Sequence, residues 1–240
     1  MKKIIYLTLL FCSVTLLHAQ KMKVIKSNGN IITTTQTTPE YDKINISGSF
    51  EVKLIAGKEG NITIKGDENI IPFLKTDVKN GVLNIKMEKN VTVKYDYKSS
   101  LEVTVPFTKI EQLTFSGSGN VYNNDKISNK TFNFVMSGSG NATFLGDFTS
   151  LKIVKSGSGN LTVKGETKNL DVTTSGSGNT NLFDLNAENT SAILSGSGNI
   201  NVFSTKTIDA KTSGSGCIYY KGNPTSVDKK SVGSGGVFAK

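Results

Sequence analysis

The pentapeptide Ser-Gly-Ser-Gly-Asn recurs through the second half of the sequence, and a motif repeated at a near-constant interval must come from units repeated in space. It stands complete at Ser116–Asn120, Ser137–Asn141, Ser156–Asn160, Ser175–Asn179 and Ser195–Asn199. It then decays to Ser213-Gly214-Ser215-Gly216-Cys217 and Val232-Gly233-Ser234-Gly235-Gly236. Successive starts lie 21, 19, 19, 20, 18 and 19 residues apart. A period of this size marks a solenoid, whose units cannot bury an apolar face alone and stack on their neighbours. Leucine-rich repeats share the length, but the Leu run and the return-side helix they need are missing.

With the first Ser of each copy as position 0, apolar residues fall two apart on both sides. Upstream, at −5 and −3, stand Phe132 and Phe134, Leu151 and Ile153, Leu170 and Val172, and Ile208 and Ala210. Downstream, at +5 and +7, stand Ala142 and Phe144, Leu161 and Val163, Ile200 and Val202, and Ile218 and Tyr220. Alternation of this kind is the signature of strands with one buried face. The expected architecture is all-β: a single-stranded parallel β-helix with coils of about 19–20 residues and rungs about 4.7–4.9 Å apart. Stacking in register would turn Ser116, Ser137, Ser156, Ser175 and Ser195, and Asn120, Asn141, Asn160, Asn179 and Asn199, into structural ladders. Two local geometries stay open. A straight pleat would face the glycines inward and Ser, Ser and Asn outward, whereas a positive φ at glycine would make a corner and let Asn bond the next coil.

Before the repeats the chain changes character three times. Residues 1–19 read as a signal peptide: Lys2 and Lys3, an apolar run from Ile4 to Leu17, then a small-residue cleavage site ending at Ala19. The apolar run is too short for a membrane span, and no transmembrane segment is expected elsewhere. Residues 20–38, with the polar tract Thr33 to Thr38, are expected to form a flexible leader. Residues 39–110 are expected to form an irregular N-terminal β cap, with a degenerate first rung at Ser47-Gly48-Ser49-Phe50. Within it Asn80-Gly81 is a hairpin signal, and Pro72 suits the first turn of a short helix or turn over Ile70–Leu74. The repeat β-helix is assigned to 111–240, its last rungs blunted by Pro224 and by Asp228, Lys229 and Lys230.

Composition removes several chemistries. Once the signal peptide is cleaved, His18 and Cys12 are gone and Cys217 is the remaining cysteine. Zinc sites of Cys and His, disulfide frameworks and histidine-based triads are thereby excluded. The net charge is +9, but the lysines are scattered, so they read as solvated strand positions and no nucleic-acid partner is expected. The repeated polar positions are neutral Ser and Asn, which leaves nothing to balance calcium, and no helix follows the glycines to receive a phosphate. No cofactor is expected. Acids that could serve polysaccharide cleavage need to cluster on adjacent rungs. Asp171 and Asp209 share position −4, but Ser191 stands between them, so they read as solvated. Aromatic platforms for sugar stacking look few outside Tyr122, Tyr219 and Tyr220.

The opening Ile44-Asn45-Ile46-Ser47-Gly48-Ser49-Phe50-Glu51-Val52-Lys53-Leu54, the middle Val78 to Ile85, the repeated pentapeptide and the close from Gly222-Asn223-Pro224 to Gly235 resemble the auto-transporter adhesin "head GIN domain" family. The resemblance covers about residues 40–238 and implies a right-handed parallel β-helix at the periplasm or cell surface. It carries no catalytic residues over. Cys217 and Gly236 interrupt the asparagine pattern. The expected function is an exported, non-enzymatic solenoid with an adhesion-like role towards a glycan or cell-envelope component. The rivals are a polysaccharide-active β-helix enzyme and a purely structural envelope protein.

Overall fold

The computed structural model describes residues 22–96 and 99–240; the expected signal peptide, 1–19, lies outside the described residues. The repeat region begins with β-strands that stack in parallel. In chain order the first half contains β1 (Lys23–Lys26), β2 (Ile31–Thr37), β3 (Lys43–Ser47), β4 (Glu51–Ala56), β5 (Asn61–Asp67), β6 (Leu74–Lys79), β7 (Val82–Met87), β8 (Val91–Lys94), β9 (Glu102–Phe107), β10 (Gln112–Gly117) and β11 (Asn120–Asn123). The second half contains β12 (Ile127–Gly138), β13 (Asn141–Gly157), β14 (Leu161–Gly176), β15 (Thr180–Gly196), β16 (Ile200–Gly214), β17 (Ile218–Lys221), β18 (Ser226–Val232) and β19 (Val237–Ala239). The one helical piece among the described residues is a 3-10 turn, Ile71–Phe73, with Pro72 inside it. No helix among them is long and apolar enough to cross a membrane.

Equivalent positions of successive repeats lie side by side. Ser47, Ser116, Ser137, Ser156, Ser175, Ser195, Ser213 and Val232 form one register column running through β3, β10, β12, β13, β14, β15, β16 and β18. The inward columns carry the core. One runs Leu83, Ile44, Leu113, Phe134, Ile153, Val172, Ala192, Ala210, all fully or nearly fully buried. Each coil has too little apolar surface to stand alone, so the stack is what removes these rows from water. Phe132, Phe134, Phe144 and Phe148 pack against one another in the core, with Phe132 and Phe148 stacked at 5.2 Å.

Sequence order and stacking order part company at the N-terminal end. The coil formed by β3 and β4 is first in the chain yet lies inside the stack, with β10 and β11 on one side and β7 and β9 on the other. Beyond β7 comes β6, antiparallel, joined through the expected Asn80-Gly81 turn, where both residues have positive φ (52° and 73°). Beyond β9 come β5 and then β2, also antiparallel. The expectation of a flexible leader over 20–38 is therefore corrected for its described part: β2 pairs with β5 over seven residues, and β1 pairs with β8. The Thr-rich tract lacks an apolar period, but its β-branched residues suit an edge strand and the open backbone of β5 supplies the hydrogen bonds.

At the other end β18 is exposed along its whole length. Its inward positions are Val227, Lys229 and Ser231 in place of a hydrophobic row, and the Lys229 ammonium sits 4.6 Å over the Tyr220 ring. Charge and a cation over an aromatic ring blunt the edge of this rung.

Candidate functional site

The Ser-Gly-Ser-Gly-Asn corner decides which groups the solenoid presents. Gly157 has φ 109°, which an L side chain rarely adopts. Gly159 needs its missing Cβ for a different reason: a methyl there would lie 1.9 Å from the Gly140 carbonyl oxygen and 2.5 Å from the Met136 side chain. The chain turns at the first glycine and presses the second against the rung below. Both serines of the motif are left outside, as in Ser156 and Ser158. The two geometries left open by the sequence thus combine: the corner forms, while Asn stays on the rim.

Asparagine on that rim still bonds between coils. Asn141 Nδ2 donates to Asn120 Oδ1 (3.1 Å), and Asn160 donates to Asn141 Oδ1 from both its backbone N (3.3 Å) and its Nδ2 (3.2 Å). The Asn179 backbone N donates to Asn160 Oδ1 (3.0 Å), and Asn199 donates twice to Asn179 Oδ1. At the ends, Asn120 Nδ2 reaches Glu51 Oε1 (3.4 Å) and the Cys217 backbone N donates to Asn199 Oδ1 (3.0 Å). Ser116, Ser137, Ser156, Ser175 and Ser195 run beside this ladder as an exposed hydroxyl column. The Cys217 thiol lies next to Tyr219, and their hydrogen bond pushes the phenol pKa up.

A second feature faces outward on the strands that precede the corner. Lys152, Asp171, Ser191, Asp209 and Asp228 are in register. Asp228 stands at the same −4 offset before the degenerate copy that begins at Val232 and sits directly beside Asp209, so two acids do occupy adjacent rungs. They border a groove of about 430 Å³ whose lining also includes Asn169, Asn189 and Thr207. Asn189 Nδ2 donates to Asn169 Oδ1 and Thr207 Oγ1 donates to Asn189 Oδ1. Asp209 accepts from Lys211 Nζ (2.7 Å) through Oδ2, while its Oδ1 is buried without a partner. No group of three potential metal ligands occurs among the described residues.

The interior of the repeat region holds a charged group at a position where alternation calls for an apolar one. Lys155 occupies the inward row that is Phe115, Met136 and Leu194 in other coils, and it is 1% exposed. Its ammonium donates to the carbonyls of Gly159 and Gly178, both at 2.9 Å. Burial pulls its pKa down to about 8. Thr212 does the same job three coils later, donating to the Gly216 carbonyl (3.0 Å). Corner carbonyls that point into the tube need a donor, and polar residues at this row supply it. A lysine in a row of core residues is the signal in the sequence that points to this site.

Comparison with known proteins gives a consistent picture. Residues 40–224 match the family described as "Putative auto-transporter adhesin, head GIN domain". No curated protein matches. The fold is similar to that of a "putative adhesin" from Bacteroides fragilis, at a TM-score of 0.82 and 22% identity over 90% of this chain and 100% of that one. It is also similar to a "putative lipid binding protein" from Parabacteroides distasonis, at 0.73 and 26% identity over 91% and 100% of the two chains. A "putative adhesin" from Parabacteroides merdae gives 0.73 and 20% identity over 90% and 99%.

Proposed function

This chain belongs to the auto-transporter adhesin head GIN domain family, and we propose that it is an exported, non-enzymatic binding module that adheres to a glycan or another cell-envelope component. The observation that carries the reading is the corner. Neutral amide and hydroxyl groups recur there on five successive coils, from Asn120 to Asn199, at the spacing of a sheet, about 4.7–4.9 Å, on a backbone too tightly packed to shift. A regular polar face of this kind suits an extended polymer, which can repeat the same contact from rung to rung. Most of the ladder's hydrogen bonds also hold the coils together, so recognition and stability share one set of groups.

A second reading rests on Asp209 and Asp228. Two acids on adjacent rungs of a groove, one with an unpartnered buried oxygen, are the material of a polysaccharide-cleaving site. A glycan array and a polysaccharide-cleavage screen with the purified chain separate the readings. Binding without cleavage supports the adhesion role, and turnover that Asp209→Asn abolishes supports the enzyme. Neither binding nor turnover, with no retention on isolated envelope fractions, would leave a structural protein and refute the proposal. Export is tested by sequencing the N-terminus of the protein recovered outside the cytoplasm, which should begin at Gln20.

A further inference from the structure

Near the C-terminal end, the strand that follows each corner carries aromatic residues on its outer side. Asn181, Asn201, Tyr219 and Phe238 form one outward register column, and the Tyr219 and Phe238 ring centroids are 5.8 Å apart and tilted by 30°. In the next outward column Phe203 is in register with Lys221. Lys221 Nζ reaches over the Phe183 ring at 4.5 Å, and Lys240 Nζ sits over Tyr219 at 4.2 Å. Phe238 is 50% exposed. Large aromatic rings gathered on the outside of a soluble strand face mark an interaction site more often than scattered single residues do.

The cations set the chemistry of the partner. Eight lysines form ion pairs with acids among the described residues, and Lys221 and Lys240 are not among them. They are held instead by ring faces, which position an ammonium without neutralising it. Asp184, next to Phe183 in the chain, is already paired with Lys164 at 3.1 Å. A ligand for this patch therefore needs a flat apolar face for the rings and a negative charge for the ammoniums. It needs both repeatedly, because rings and cations recur on successive rungs, at a spacing close to the rise of an extended pyranose chain.

The geometry points to this patch as a subsite for an acidic polysaccharide, a chain of sugar acids whose ring faces stack on Phe203, Tyr219 and Phe238 while their carboxylates pair with Lys221 and Lys240. The inference rests on the adhesion reading above and adds the ligand class and its place. Titration calorimetry of the purified chain with short oligogalacturonates, oligomannuronates and oligoglucuronates tests it, with the methyl-esterified forms as neutral counterparts. Binding to at least one acid series is expected, weakened about tenfold or more by esterification, which is about 1.4 kcal/mol. Phe238→Ala and Lys221→Gln should each weaken it at least about fivefold at unchanged melting temperature, because both side chains lie outside the core. Tyr122→Ala, in the same column but separated from Tyr219 by Thr143, Thr162, Asn181 and Asn201, should leave it unaltered. Equal binding of the neutral esters, or indifference to Phe238→Ala and Lys221→Gln, would overturn the assignment. Binding confined to neutral glycans or to phosphatidylglycerol vesicles would overturn it while leaving an envelope-binding role standing. Loss of all binding, envelope fractions included, would instead remove the adhesion reading beneath it.

Discussion

Replacing Lys155 by Met tests how the tube tolerates a charge. In the folded chain the ammonium is buried and satisfies the Gly159 and Gly178 carbonyls, and its pKa falls from the ordinary 10.5 to about 8. The unfolded chain keeps the ordinary value, so between these two pH values it binds a proton that the folded chain has lost. Stability from this group therefore rises with pH across that window. The gap corresponds to about 3 kcal/mol, a burial cost fully present below about pH 8 and relieved above about pH 10.5. Lys155→Met removes the titration and leaves two inward carbonyls without a donor, at about 1–3 kcal/mol each. Near neutral pH the relief of the charge and the orphaned carbonyls oppose one another, and the two proteins should unfold at similar denaturant concentrations. Towards about pH 10.5 the native chain should gain on the variant by about 3 kcal/mol. Urea unfolding followed by circular dichroism at several pH values gives the difference directly, because the titrations of all other residues are common to both chains. A difference that stays flat within about 1 kcal/mol over the whole range would refute the account of a buried, desolvated ammonium.

Gly159→Ala forces a methyl against the Gly140 carbonyl oxygen at 1.9 Å, and should destabilise by more than about 3 kcal/mol in the same unfolding assay. Thr212→Val keeps the shape but strips the donor from the Gly216 carbonyl, at an expected cost of about 1–3 kcal/mol. Asn160→Ala and Asn179→Ala should each cost about 1 kcal/mol. Because Asn160 Nδ2 donates to Asn141 Oδ1 from side chain to side chain, combining Asn160→Ala with Asn141→Ala should cost less than the two single losses added together. Additive losses would mean that the ladder amides act independently.

Much of the candidate site is legible in the sequence. The Asn column and the exposed serines follow from the motif alone, since equal spacing along the chain becomes adjacency once coils stack. Asp209 and Asp228 also lie at equal offsets, but the last repeat begins with Val232 in place of Ser, which hides its register. The aromatic patch is harder to see. Phe183 and Phe203 sit beyond the apolar alternation, and the register shift between Leu182 and Asn186 on the β15 and β16 pair breaks the count that would place them.

The winding of the repeat coils is written in the chain: period, corner glycines and inward rows are local patterns, and parallel stacking only requires each coil to resemble the one before. The path at the N-terminal end emerges only from long-range strand pairing. There β7 and β9 pass to the far side of the first coil, and β5, β6 and β2 close the stack in antiparallel fashion. Backbone edges choose those partners, and a backbone edge is the same for every residue type, so no side-chain pattern announces where a distant strand will pair.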